Sequence, residues 1–547
     1  MFVELRKVLF SFYMMLSLWI LSFCSVSSQS ADQQTTGLNQ QAAKQAAAIR
    51  RQQTQTQREQ AESPVEEKLL PALKARSREQ NNSCIDVTNI AVSGVEILEL
   101  DVIDVIVAPF EDQCLGLAEI NSALEAVTFA YIDAGYVTSR AFLPEQDISD
   151  GGLDVVVVEG VLESILMNGD PDALPGQRST AFPSMTGRPL NLRDIEQGLE
   201  QIARLQSVDA TMEIEAGSVN GASLLAVKYQ QTRPWHDSIS LNNLGSVITG
   251  EYQRRLSLGF DDLFGVNDSI SLSYQRSLSE SPFDLSNHLP IGKIWTARFE
   301  IPFGYWTFSV DGNANYYISK IEGALGSIET SGDSKTVNLT TARLLHRDQN
   351  SKTTFSGTLT WKDTNSFILG SRIDVSSRSL AVASINLDHS RQLWGGRATP
   401  SIGYSQGFDI WGAFDDSTAP AKSPKGQFKK LDFSLGYARS FELADHSFML
   451  DTRLSGQWSN DLLFGSEQLS LGGHSSVRGL KSAALFGNQA FLWRNELSAK
   501  LPQAQNQSFT TVIGRFEPFI ALDIGHIWNQ EKFHIAGGAL TGAAIGL

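Results

Sequence analysis

From Trp235 to the last residue, apolar and polar side chains alternate, and this constrains the fold more than any other feature. In Asp268–Gln275, Ile270, Leu272 and Tyr274 alternate with Ser269, Ser271 and Ser273. In Lys293–Ile301, Trp295, Ala297, Phe299 and Ile301 alternate with Thr296, Arg298 and Glu300. Lys430–Ala438 and Phe448–Trp458 repeat the pattern. A period of two belongs to a β-strand with one apolar and one polar face. Strands of soluble sandwiches average about five or six residues. These run to about nine or ten, the length a tilted strand needs to cross a bilayer. A soluble solenoid would show a regular repeat, which this half lacks. About fourteen such segments lie between Ser238 and Leu547, an even number that suits a membrane barrel. Trp295, Trp306, Trp361, Trp458 and Trp493 sit near strand ends or on apolar faces, as an interfacial girdle requires.

Composition agrees. Only 19% of the 547 residues are charged, and 44 are Gly and 29 Phe. The net charge of −16 argues against a nucleic-acid partner, which needs a basic footprint, and against polybasic attachment to an anionic membrane surface. Residues 1–28 read as a secretory signal: Arg6 and Lys7, an apolar core over Val8–Phe23, and small residues at Ser25–Ser28. No later stretch reaches the length of a membrane-spanning helix. Residues 29–83 form a Gln-rich leader and linker. Within it, 31–62 fit either a flexible polar segment or a helix lying inside a polar pore. Removal of Cys24 with the signal leaves Cys84 and Cys114, which in an exported chain are expected to form a disulfide. Two Cys without a nearby His do not complete a zinc site.

Residues 84–160 have the order strand, helix, strand, strand. The helix carries Leu117, Ile120, Leu124, Val127 and Tyr131 at spacings of three and four, and Gly135 stops it. Strands are expected at Val137–Leu143 and Leu153–Glu159. Residues 161–231 repeat the plan: a strand at Leu162–Met167, a helix capped by Asn191, and strands at Ala210–Glu215 and Leu224–Tyr229. Two α+β units in series therefore precede the barrel at 235–547.

The chemistry concentrates in Ser466–Leu480, SEQLSLGGHSSVRGL, and Phe519–Gly525, FIALDIG. In the second, Ile520, Leu522 and Ile524 share one strand face, and Phe519, Ala521, Asp523 and Gly525 the other. A carboxylate inside a strand needs a cation. Arg478, in a Gly-flanked loop, is the candidate, so the loop is expected to fold back and pin to the barrel wall. In a wet lumen such a pair is expected to contribute only about 0–1 kcal/mol. No HExxH, GxSxG or Walker loop is present, and no cofactor or metal is expected. Nothing here reads as an enzyme.

The chain resembles the outer-membrane transporters of two-partner (type V) secretion, the hemolysin activation/secretion proteins of the Omp85 superfamily. CLGLAEIN (Cys114–Asn121), YIDAGYVTSRAFLPEQDISDG (Tyr131–Gly151) and VVEG (Val157–Gly160) resemble the family's first POTRA domain. LNNLGSVITG (Leu241–Gly250), PFGYWTFS (Pro302–Ser309), SRIDVSSRSL (Ser371–Leu380), GGHSSVRG (Gly472–Gly479), LWRNEL (Leu492–Leu497) and FIALDIG resemble barrel motifs in the family's order. The resemblance implies two periplasmic POTRA domains, a sixteen-stranded barrel and an N-terminal helix that can plug it. It also implies a lumen loop whose VRG motif (Val477, Arg478, Gly479) pairs with Asp523 of the F-x-D-x-G strand, bounded by Phe519 and Gly525. Leu480 stands where the family usually has an aromatic. The family continues for about two strands past the position of Leu547, so the sequence reads as C-terminally truncated.

The expected partners are a large secreted hemolysin- or filamentous-adhesin-like exoprotein, outer-membrane lipids and the barrel assembly machinery. The exoprotein would be captured in the periplasm and moved to the surface without ATP. Val155–Val158 and Leu224–Gln230 are strand candidates for capture by β-augmentation, although the first is expected to be internal. An Omp85-type assembly factor and a passive porin are the alternatives. The first would carry a longer POTRA array, and the second would need no POTRA region.

Overall fold

The computed structural model describes residues 84–547 except 246–248, 279–288, 324–325, 421–422, 444–445, 474, 481–484, 501–516, 531–534 and 536. The expected signal at 1–28 and leader segment at 31–62 lie outside the described residues.

In the first unit, Gly152–Val158 is the central strand. It runs parallel to Asn89–Ser93 and antiparallel to Arg140–Phe142. The helix Leu117–Asp133 packs Ile120, Val127 and Tyr131 into the core with Leu153, Val155 and Val157. Its start is fixed by Glu119, whose carboxylate accepts from the Gly116 backbone N–H at 3.0 Å. Gly135, at φ +96°, ends it. Leu117, at the first turn, is exposed and takes no part in that core. A second helix, Leu100–Val107, was not expected. Its LDVIDVIV sequence is rich in β-branched residues and reads as strand. The i, i+4 pair Ile103 and Val107, both buried, is the helical signal.

In the second unit the sheet order is Val161–Met167, Ala222–Gln231, Val208–Ala216, with Ala222–Gln231 in the centre. The helix Leu192–Ala203 buries Ile195, Leu199 and Ile202 against Leu225 and Val227. Asn191 caps it, accepting from the Arg193 N–H at 2.8 Å. The Asn191 side-chain amide also donates to the Ala134 carbonyl, and the Leu192 N–H donates to the Gly135 carbonyl at 2.8 Å. One residue thus starts the second unit's helix and ties it to the end of the first unit's helix.

Of the two candidate capture strands, Val155–Val158 is internal, as expected, and Leu224–Gln230 is central as well. Val155–Val158 has strand neighbours on both sides, and so does Leu224–Gln230. Burial alternates along both, with Leu153, Val155 and Val157 and with Leu225, Val227 and Tyr229 turned into the cores, so their apolar runs mark an inner face and carry no information about the edges.

From Trp235 to Gly546 the described residues form a 15-stranded antiparallel sheet. Fourteen strands make one path from Trp235–Asn242 to Gly538–Gly546, and the short Ser371–Arg372 pairs off it with Ser351–Ile368. Each full strand pairs with its predecessor in the chain, so the sheet is an up-and-down meander. The path has the number of strands read from alternation, and the sixteen implied by the resemblance are not reached within the described residues. Strands reach 18 residues at Trp306–Gly323 and 22 at Gly326–Arg347, longer than the bilayer requires. Outward positions such as Trp295, Ile385, Ile402, Leu431, Phe433 and Leu435 are exposed and apolar. Asp311, Asn315, Asn338, Gln457 and Asp523 face inward and are buried. Among the described residues no helix is long and apolar enough to cross a membrane.

Candidate functional site

The connection between His446–Trp458 and Ala490–Lys500 folds back on the inner face of the sheet. A short hairpin, Leu469–Leu471 with Leu485–Gly487, stiffens it. Leu471 packs against Ala490 and Ile527 of the wall. The hairpin carries the chain to Val477, which is fully buried, and to Arg478.

Arg478 meets Asp523 in three hydrogen bonds: backbone N–H to Oδ2 at 2.9 Å, Nε to Oδ2 at 2.7 Å and Nη2 to Oδ1 at 2.7 Å. Its remaining guanidinium donors reach Glu496 Oε2 at 2.5 Å and the Asn495 carbonyl at 3.1 Å. Asp523 is 0% exposed and Arg478 8%. The expectation of a solvated pair of little energetic consequence is therefore corrected: loop and wall together exclude water from it. Truncating one partner of such a buried, fully bonded pair costs on the order of 3–5 kcal/mol. The bidentate fork makes the contact directional as well as attractive.

The neighbouring glycines explain how the loop comes so close. A Cβ at Gly525 would lie 2.7 Å from a Leu471 methyl group, so the last position of the F-x-D-x-G motif leaves room for the loop's apolar anchor. Gly479, at φ +90°, turns the loop away after the arginine. Phe519 lies across the strand from Gly546, where a Cβ would come within 2.1 Å of its ring. Phe519 fills a glycine gap and takes no part in the polar cluster.

Sequence reasoning missed Glu496 and Arg494. Arg494 Nε lies 3.7 Å from Asp523. Alternation in LWRNEL puts both on one strand face, two and four positions from Leu492, and that was the available signal. Elsewhere, Cys84 and Cys114 form a disulfide with Cα atoms 5.3 Å apart, beside the small ladder of Ile85–Val87 with Gln113–Leu115. Among the described residues no group of three or more His, Cys, Asp or Glu is arranged to hold a metal.

A second polar surface joins the second unit to the sheet. The helix Leu192–Ala203 buries one face in its own unit and turns Asp194, Glu196, Gln197, Glu200 and Gln201 toward the sheet's turns. Gln197 and Gln201 both donate to the Gly304 carbonyl, at 3.2 and 2.9 Å. Arg347 meets Glu196, Gln197 and Glu200, and Lys352 reaches Glu200 at 2.6 Å. Arg204 pairs with Glu300, and the Tyr305 hydroxyl donates to Asp194 at 2.5 Å. Burial, then the Asp194 carboxylate, pushes the Tyr305 hydroxyl well above its usual range. Asn267, fully buried, donates to the Gln177 carbonyl at 2.7 Å and to Thr180 at 2.8 Å. Three consecutive turns on one side of the sheet therefore seat the second unit.

Known proteins share this architecture. The family model described as haemolysin secretion/activation protein ShlB/FhaC/HecB matches residues 221–547, a ShlB-type POTRA model matches 85–160, and a POTRA model matches 161–216. The outer membrane transporter CdiB of Dickeya dadantii (strain 3937) is 36% identical over 440 residues, 80% of this chain and 76% of that protein. The hemolysin transporter protein ShlB of Serratia marcescens is 26% identical over 88% of this chain and 83% of its own length. The solved structure of CdiB from Escherichia coli superposes with a TM-score of 0.81 at 32% identity, covering 95% of this chain and 93% of that one. The chain belongs to the ShlB/FhaC/HecB family of outer-membrane β-barrel transporters, with two POTRA domains that face the periplasm.

Proposed function

We propose that this chain captures an unfolded exoprotein in the periplasm and conducts it through the barrel to the cell surface. The observation that carries the reading is the inward loop pinned at Arg478 and Asp523, inside a sheet whose periplasmic turns seat a POTRA domain. A passive porin has no use for the POTRA pair, and a longer POTRA array would suit an assembly factor better. Capture works by backbone pairing on an open strand edge. In the second POTRA domain, one edge, Val161–Met167, is shielded: the Leu162 N–H donates to the Arg188 carbonyl at 2.9 Å, and the Gly187 N–H to the Leu162 carbonyl at 2.8 Å. The other, Val208–Ala216, has a ladder partner on one side only among the described residues, and it is the acceptor in this reading.

Relatives named hemolysin transporter protein support a hemolysin-like cargo, and a filamentous-adhesin-like one is the other member of the expected class. The role is that of a conduit, not a catalyst, and needs no ATP, because folding of the cargo outside favours forward movement. Lipid covers the apolar outer face, and the barrel assembly machinery inserts the sheet.

The test is co-expression with a large exoprotein encoded beside this gene. Surface appearance of the exoprotein should depend on this chain and fall when Val208–Ala216 carries a proline at an outward N–H. Export that is independent of the chain would sink the reading.

A further inference from the structure

The Arg478 site holds only one leg of the inward loop. The other leg carries a buried carboxylate that the transport reading has not used. Glu467 is 5% exposed. It is bonded to Lys362, from Ser351–Ile368, and its second oxygen lies 3.4 Å from Lys430 Nζ, from Lys429–Leu443. Both lysines occupy inward positions, between outward Leu359 and Leu431 and their alternates. Three residues earlier, Phe464 lies under Arg378, whose guanidinium carbon is 4.3 Å from the ring centroid. Phe464 and Leu463 close an apolar cluster with Leu380, Val382 and Phe428 of the wall.

In the sheet order, Ser351–Ile368 is six strands from Phe519–Ile527. The loop is therefore attached to two separate stretches of wall, and the two attachments have opposite polarity. At one, a loop anion meets wall cations. At the other, a loop cation meets the wall anions Asp523 and Glu496. A slipped or reversed loop would set Glu467 beside Asp523 and Arg478 beside the lysines, and like charges in a dry site are strongly disfavoured. A buried ion cluster is weak evidence for stability, and setting register is its best-attested use.

We propose that Glu467 is a second positioning residue of the inward loop. With Lys362 and Lys430 it forms an ionic clamp, reversed in polarity from the Arg478 site, that fixes the loop's register and keeps the pore narrow. Its use in secretion rests on the transport reading. The clamp itself does not, because an ion current needs no cargo.

The test is single-channel KCl conductance of the full chain in planar bilayers, with heat-modifiable gel migration as the check that the sheet is folded. Glu467→Lys should raise mean conductance several-fold and broaden its distribution, and Glu467→Gln should fall between it and wild type. The charge-swapped triple, Glu467→Lys with Lys362→Glu and Lys430→Glu, should return conductance toward wild type. Unchanged conductance in Glu467→Lys, or a folded triple no nearer to wild type, overturns the clamp. If the triple is not heat-modifiable, alanine variants replace it. Glu467→Ala, Lys362→Ala/Lys430→Ala and the combined variant should give non-additive increases, since one contact is removed each time. Additive increases overturn the proposal. If the clamp behaves as expected while wild-type protein fails to export its cargo, the transport reading fails instead.

Discussion

Gly542 lies directly opposite Asp523 in the ladder between the last two strands, and a Cβ on it would come within 1.9 Å of the Arg478 carbonyl oxygen. The salt bridge therefore depends on a residue that takes no part in it. The missing side chain lets the loop backbone lie flat on the wall, which allows the Arg478 N–H as well as its guanidinium to reach Asp523.

Gly542→Val should unseat the loop while leaving the ladder intact, since valine suits a strand. The expected result is easier protease cleavage in 472–480 and higher pore conductance, with unchanged heat-modifiable migration. Gly357, where a Cβ would meet nothing within 4 Å, is the control. Gly357→Ala should change neither readout. Equal behaviour of the two variants would show that close approach at Gly542 is not what seats the loop.

Arg478→Ala leaves Asp523 buried beside Arg494, a partial substitute at 3.7 Å. The loss of loop anchoring should therefore sit at or below the lower end of the range for breaking a buried pair, about 3 kcal/mol. Arg478→Lys should recover little, because an ammonium cannot reproduce the fork to both Asp523 oxygens and to Glu496. Secretion of the cargo and protection of the loop from protease should fall together in both variants. A fully functional Arg478→Lys would mean that charge alone suffices.

That pair was legible before the fold was known, because strand alternation is a local rule. Once Asp523 shared a face with Gly525 and opposed Ile520 and Leu522, only a cation from elsewhere could satisfy it. Gly542 and Glu467 were not legible in the same way. The role of Gly542 comes from a loop about sixty residues away, and the partners of Glu467 sit on strands whose order must first be known. Lys430 was half-readable, since alternation turned it inward but gave it no partner. Leu100–Val107 was not legible as a helix for a different reason: tertiary burial of Ile103 and Val107 overrides the strand preference of a Val- and Ile-rich run. Leu224–Gln230 was misplaced because an apolar strand announces burial without saying on how many sides.

The disulfide between Cys84 and Cys114 spans a sequence separation of 30. Closing a loop of that size stabilises a domain by about 2–4 kcal/mol, chiefly by restricting the unfolded chain. Reduction, or the Cys84→Ser/Cys114→Ser double variant, should lower the melting temperature of the first POTRA domain and leave heat-modifiability of the barrel unchanged. An unshifted POTRA transition would show that its core, centred on Ile103, Val127 and Tyr131, is sufficient alone.

The joint between the second POTRA domain and the barrel should be sensitive to one residue and to alkaline pH. Arg347 is bonded to Glu196, Gln197 and Glu200 at once. Arg347→Ala leaves Glu196 with Arg193 and Glu200 with Lys352, each within its own pair, and should expose the turns around Gly304 to hydrogen exchange. Tyr305 supplies the pH dependence. Its hydroxyl donates to Asp194 and holds its proton more tightly when docked than when free. Docking is thus fully favoured below the ordinary tyrosine pKa, about 10, and weakens as pH climbs above it toward the raised value. Hydrogen exchange at Thr307 and Phe308, next to the seated turn, should accelerate above that pH in the wild type beyond the intrinsic rise. Tyr305→Phe should exchange faster at neutral pH and lose the extra alkaline increment. An identical alkaline increment in both proteins would assign it to another group and remove Tyr305 from the joint.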